Sequence, residues 1–190
     1  EARPYPGAVR AVVDSLAQAD DDLARAADAI CIQAQRILGC AEAALYVAPP
    51  AQREGADRQL CRVRNSHPPP EDISACSHKV LSAAATPPVK TSSLVAAAAS
   101  GKALTILKNA KSDPRYDEES DRLPGFPPPA AMLLFNLSDE RGDVKAVLRC
   151  SRPFVARHGG GGWSGKETAL AALAPLFTLT LRCCMALDGP

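Results

Sequence analysis

The sequence is short of aromatic residues: one Trp, three Tyr and four Phe in 190 positions, against 35 alanines. A base-stacking surface for single-stranded nucleic acid needs aromatics strung along a basic groove. This chain has few aromatics and no charge excess, with 22 basic and 21 acidic residues and a net charge of +1. Neither nucleic acid nor an anionic membrane surface is therefore expected as the main partner. No stretch approaches the ~20 consecutive apolar residues of a membrane helix, so membrane insertion is not expected. Three histidines, His67, His78 and His158, show no Cys/His spacing of a zinc site, and no metal is expected. The seven cysteines form no CxxC pair and are odd in number, which reads as reduced thiols in a cytoplasmic protein rather than a disulfide framework. The run Gly159–Gly162 lacks the Gly-Lys-Ser/Thr of a phosphate-binding loop.

The composition that is present, 46% hydrophobic with balanced charge, predicts a single packed domain that buries roughly 70% of its unfolded surface. Residues 8–19 read as a leading helix. The cluster Asp20-Asp21-Asp22 caps a second helix that runs to about Leu38, with Leu23, Ala27, Ile30, Ala34 and Ile37 on one stripe and Gly39 as terminator. Strands are predicted at 42–47 and 59–64, joined by a polar loop at 51–58. The prolines of 65–72 exclude a central strand there, and 73–81 fits either a strand or a short helix. Ser92 or Ser93 caps a short helix that ends at Ala99, closed by Gly101, and 103–107 reads as a strand.

Residues 108–129 form the longest irregular piece, with one helical turn expected at 117–122; loops of that length carry function or short helices. The apolar runs 131–137 and 144–150, separated by a turn holding Asp139 and Gly142, are the clearest hairpin. A glycine-rich loop follows at 152–162. Ser164-Gly165-Lys166-Glu167 then reads as a capping box for the last helix, whose stripe is Leu170, Leu173, Phe177, Leu181 and Cys184 and which Pro175 should kink. Adjacent hairpins with helices at both ends predict an α+β domain: a central five- or six-stranded antiparallel sheet, terminal helices on one face, and a ligand pocket under a lid loop on the other.

The stretch SGKALTILKNAKSDPRYDEESDRLPGF, residues 100–126, resembles the middle of a GAF domain, and MLLFNLSDERGDVKAVLRC, residues 132–150, resembles that family's hairpin. The resemblance spans about 21–187. Within the family the pattern is closest to the regulatory GAF domains of cyclic-nucleotide phosphodiesterases and cyclases. It departs from them at Asn136, where Pro is frequent, at Ala146, where Gly is frequent, and at Asn109, where Asp is usual. The family's N-K…F…D-E signature is reduced here to Trp163 and Glu167.

The resemblance implies a non-catalytic regulatory module, part of a larger multidomain signalling protein, that binds a cyclic nucleotide (cAMP or cGMP), needs no cofactor, and controls an adjacent catalytic domain, as a homodimer. Asn109 and Ala110 would lie at the ligand. Tyr116 would pack beneath the lid, and Asp121 and Phe126 would flank the lid helix, with Phe126 stacking on the purine. Ser92 would help a helix N-terminus cradle an anion, and Arg149, an odd residue in an apolar strand, would meet a phosphate or carboxylate. Ligand-free dimerisation through the alanine-rich helices is the alternative. One GAF branch reduces methionine sulfoxide with pocket thiols; Cys76 is the thiol here placed to do so, and catalysis is not expected.

Overall fold

The computed structural model describes residues 10, 13–14, 16–17, 22–47, 60–66, 89–123, 128–153, 163 and 165–187. Helix α1, Leu23–Leu38, starts where expected: Asp22 accepts from the backbone N–H of Ala24 at 2.8 Å and Arg25 at 3.3 Å. It stops at Gly39, whose φ of 62° is the left-handed conformation that glycine adopts without a Cβ penalty. Ala26, Ala27 and Ala34 are fully buried, and their small side chains let the helix lie close against its neighbours. The described residues of the leading segment are helical, and Leu16 is buried in the core.

Five strands follow: β1 Cys40–Val47, β2 Cys61–Ser66, β3 Leu104–Leu107, β4 Met132–Ser138 and β5 Val144–Pro153. They form one antiparallel sheet in the order β2-β1-β5-β4-β3. Strands β1, β2, β4 and β5 outrun their expected ends; β1 begins at Cys40 and β5 continues to Pro153, and these two ends pair with each other. The β4–β5 turn is closed by Asp139, which accepts from the N–H of Arg141 (2.9 Å) and Asp143 (3.0 Å), and Gly142 supplies the positive φ of 83°.

Between β2 and β4 lie helix α2, Leu94–Ala99, a short 3-10 helix, Ala110–Ser112, and helix α3, Glu118–Asp121. Helix α4, Lys166–Leu187, ends the described chain. It passes through Pro175 as one element. Pro175 points outward, where the carbonyl one turn back that it leaves without a donor can meet water.

The side chains of each strand alternate between two cores. On one face Leu45, Leu133, Phe135, Leu148 and Cys150 pack against α1 and against Leu170, Leu173, Phe177 and Leu181 of α4. On the other face Ala44, Tyr46, Met132, Leu134 and Val147 pack against Leu94, Val95 and Ala98 of α2 and Leu123. The expected layering, terminal helices opposite the short helices, is the observed one.

Contrary to the expectation that no stretch would be so apolar, an 18-residue window of Lys166–Ala186 has a mean hydropathy of 1.7, long and apolar enough to cross a membrane by length and composition only. Its few charges fall near the ends, and Pro175 does not divide it. Its apolar stripe packs on the sheet as a core helix does. Free Cys31, Cys40, Cys150 and Cys184 are buried, and Cys183 is exposed. Contact with the Cys40 thiol, together with burial, pushes the Cys150 thiol well above its ordinary range, so Cys150 behaves as a small hydrophobe. The undecided segment 73–81, Cys76, Phe126, Ser164 of the capping box and the glycine run lie outside the described residues.

Phe177 is fully buried and Leu179, two residues on, is 56% exposed. Phe177→Ala should cost about 3–5 kcal/mol in urea unfolding, whereas Leu179→Ala should stay within about 0.5 kcal/mol. Equal losses would contradict this placement of α4.

Candidate functional site

The site lies on the sheet face opposite α1 and α4. Helix α2 is pinned there at both ends. Ser93 is its N-cap, accepting from the N–H of Ala96 at 3.2 Å. The next two backbone N–H groups have no partner within the helix; Leu94 and Val95 donate them to the two oxygens of Asp121, at 3.0 and 3.1 Å. At the other end the Asn136 side chain donates to the carbonyls of Ala98 (2.7 Å), which also accepts from Gly101, and of Lys102 (3.3 Å), just past the helix. Asn136 is thus a structural clasp.

Asp121 also accepts from the N–H of Asp117 at 2.8 Å. It is fully buried; burial pushes its carboxyl upward, against the three backbone donors and the charge of Arg149, which favour the carboxylate. Further links tie the same segment down. Asp117 caps α3 through the N–H of Ser120 (2.9 Å), Ser120 accepts from the N–H of Lys90 (3.1 Å), and Lys90 pairs with Asp117 and Glu119 at 3.0 and 2.9 Å. The Tyr46 hydroxyl reaches up from β1 to the Ser120 carbonyl at 3.3 Å.

Beneath this cover stands Arg149, on the central strand between Ala44 of β1 and Leu134 of β4. Its side chain is 0% exposed. The nearest carboxylate is Glu42, whose Oε2 accepts from Ser151 at 2.6 Å and lies 4.0 Å from the guanidinium. That separation is an ion pair but no hydrogen bond. Nε and both terminal nitrogens of Arg149, and the buried hydroxyl of Tyr116, have no hydrogen-bond partner among the described residues. The Arg149 charge reaches both Tyr116 and Asp121.

Of the residues the sequence singled out, the structure gathers Tyr116, Asp121 and Arg149 on one face. The individual placements are as follows. Ser92 is exposed and caps nothing; Ser93 does the capping, and the end of α2 that an anion would have used already holds the Asp121 carboxylate. Asp121 spends its oxygens on backbone N–H groups and is a structural clamp rather than a ligand contact. Asn109 is exposed. Ala110 is buried, and both its backbone groups are used, the N–H on Ala130 at 2.9 Å and the carbonyl on Asp113 at 3.1 Å. Phe126 lies outside the described residues.

Glu42 and Ser151 were missed. A single acid in the run CAEAALYV is visible, but only the β1–β5 register places it opposite Ser151. Among the described residues no group of three metal-binding side chains occurs. The described buried thiols Cys31, Cys40 and Cys150 sit in the core on the helix side of the sheet, away from Arg149.

No family model matches the sequence, and no curated protein matches it. Solved structures do match in fold. The GAF domain of an Acinetobacter phosphoenolpyruvate-protein phosphotransferase aligns with a TM-score of 0.60 at 12% identity, over 97% of this chain and 99% of that one. The GAF-B domain of DevS from Mycobacterium smegmatis gives 0.53 at 17%, over 88% and 98%. Free methionine-R-sulfoxide reductase from Neisseria meningitidis, solved in complex with its substrate, gives 0.58 at 10%, over 98% and 97%. The fold of this chain is that of a GAF domain.

The turn Asp113-Pro114-Arg115-Tyr116 leads into the site. Arg115 donates to Asp113 from Nε at 2.9 Å and from its terminal nitrogen at 2.8 Å, and its backbone N–H adds a third bond at 3.0 Å. These bonds hold the Asp113 carboxyl at about 2, below its ordinary 3.8. A depressed carboxylate contributes stability above the unfolded value and loses it as pH falls through the folded one. The stability gap between wild type and Asp113→Asn should therefore be full above pH 3.8 and close as pH falls toward about 2. A gap that persists unchanged at pH 2 in urea titrations would contradict this tether.

Proposed function

We propose that the domain is a regulatory small-molecule-sensing module that does no chemistry of its own. The single observation that carries this reading is the enclosed Arg149, set under a cover of short helices with its donors and the Tyr116 hydroxyl still open. The side chains around it on this face, Ala44, Met132, Leu134 and Val147, are apolar, and the polar pair Glu42–Ser151 lies at one side. Proteins with the same fold include a methyl-accepting chemotaxis protein and a sensor protein from Burkholderia vietnamiensis, which supports a signalling role.

The ligand in this reading is a cyclic nucleotide, cAMP or cGMP, whose phosphodiester would meet Arg149 while its base would lie under the segment 109–123. Binding would order that cover. The same strands carry α1 and α4 on their other face, so those helices would pass the change to an adjacent catalytic domain. The ligand can act only through unequal affinity for two states of the domain.

A second reading is favoured by α4. Its outer side presents Pro175, Leu179 and Cys183 to solvent, a surface on which a second copy could dock as a ligand-free dimer. Titration with cAMP and cGMP separates the two. A nucleotide at 100 times its dissociation constant should stabilise the fold by about 2.7 kcal/mol in thermal or chemical unfolding. No stabilisation by either nucleotide, with a doubled mass in solution, would overturn the sensing reading in favour of the dimer.

A further inference from the structure

Arginine stays protonated at all physiological pH and offers five N–H donors in a planar fork. In this protein the whole fork is enclosed, and no nitrogen of it meets an acceptor among the described residues. Burying donors without acceptors costs more than a made hydrogen bond returns. The sheet does not call for a cation here, since the cross-strand neighbours are Ala44 and Leu134. Of the acidic side chains that balance the charge, Asp121 accepts from three backbone N–H groups, and Glu42 accepts from Ser151 through Oε2, 4.0 Å from the guanidinium. The charge of Arg149 is answered, but its hydrogen bonds are not. Tyr116, on the segment that covers the sheet, packs against the cluster of Ala44, Leu134 and Val147 around Arg149 and brings a second buried donor with no acceptor among the described residues.

We infer that Arg149 and Tyr116 form an anchoring subsite for a compact, singly charged oxyanion, a carboxylate or a phosphodiester, on the molecule this domain senses. The inference rests on the sensing reading and names the group recognised. A flat pair of oxygens satisfies the guanidinium fork with two parallel bonds, which a neutral carbonyl cannot do. The Tyr116 hydroxyl supplies a third donor. Ala44, directly across from Arg149, brings only a methyl group to its neighbour on the sheet. Two carboxylates already near Arg149, Glu42 and Asp121, favour a group with one negative charge over one with two, because a dianion would add repulsion against both.

The test follows the Arg149 Nε–H resonance of the ¹⁵N-labelled protein, assigned by its absence in Arg149→Lys, during titration with sodium acetate and, separately, sodium dimethyl phosphate. Sodium chloride at equal ionic strength is the reference. At least one of the two anions should shift the resonance saturably, chloride should not, and the anion that does so tells carboxylate from phosphodiester. By thermal shift, Arg149→Lys should weaken that anion about tenfold or more, because lysine is a point charge without the fork, and Tyr116→Phe should weaken it several-fold while keeping the ring in place. No saturable shift with either anion would mean that water alone meets the donors, and would overturn the inference. Equal affinity in Tyr116→Phe and wild type would remove Tyr116 from the subsite even if Arg149→Lys fails to fold. Binding of cAMP or cGMP with undiminished affinity by Arg149→Lys would sink the anchoring inference and leave the sensing reading standing. Anion binding without nucleotide binding would do the reverse to the choice of ligand.

Discussion

One carboxylate holds the functional face together. Asp121 lies at the end of a four-residue helix too short to be stable alone, yet it closes three backbone N–H groups from two separate segments. Two of these are the open donors at the start of α2, itself only six residues long. Neither helix has enough internal hydrogen bonding to persist, so each depends on the shared acid. With Asn136 clasping the other end of α2, the cover is set over the sheet by polar contacts at its edges and by Leu94, Val95 and Leu123 beneath. Asp121 tolerates burial because its donors are aligned backbone groups, and the Arg149 charge adds to the same side.

The position of β5 explains how a site on one face can be read on the other. It is the middle strand of five, paired to β1 and β4 along its length. Its alternating residues serve opposite purposes: Leu148 and Cys150 face α1 and α4, while Val147, Arg149 and Ser151 face the cover. A group seated on Arg149 would therefore bear on a strand whose next side chains touch the terminal helices. Buried alanines in α1, Ala26, Ala27 and Ala34, keep that helix close, which ties the composition to the proposed signalling path.

Much of this architecture was legible in local patterns. The α1 stripe with its Asp22 cap and Gly39 stop, the Asp139–Gly142 hairpin, and the apolar stripe of α4 all arise from interactions within a few residues, which spacing encodes. The site was legible only in part. Arg149 stood out because an arginine interrupts an apolar run, but its enclosure depends on the elements packed over it. Asp121 and Ser92 were misassigned for one reason: which acid reaches which helix end is decided by partners 26 or 27 residues away, beyond any local motif. Glu42 went unread because its partner, Ser151, is 109 residues distant and is set by strand register. Ala110 seemed a ligand contact by family pattern, whereas its backbone is consumed by Ala130 and Asp113.

The central claim, that Asp121 fastens an independently held cover onto a stable sheet, is tested most directly by residue-resolved amide hydrogen exchange in wild type and Asp121→Asn. Asparagine keeps the shape but has one acceptor oxygen where the carboxylate has two. Protection at Leu94, Val95 and Asp117 should fall by at least about tenfold, the loss of roughly one hydrogen bond, while Leu134 and Leu148 in the central strands keep theirs. Unchanged protection at α2, or an equal fall across the whole sheet, would contradict the account.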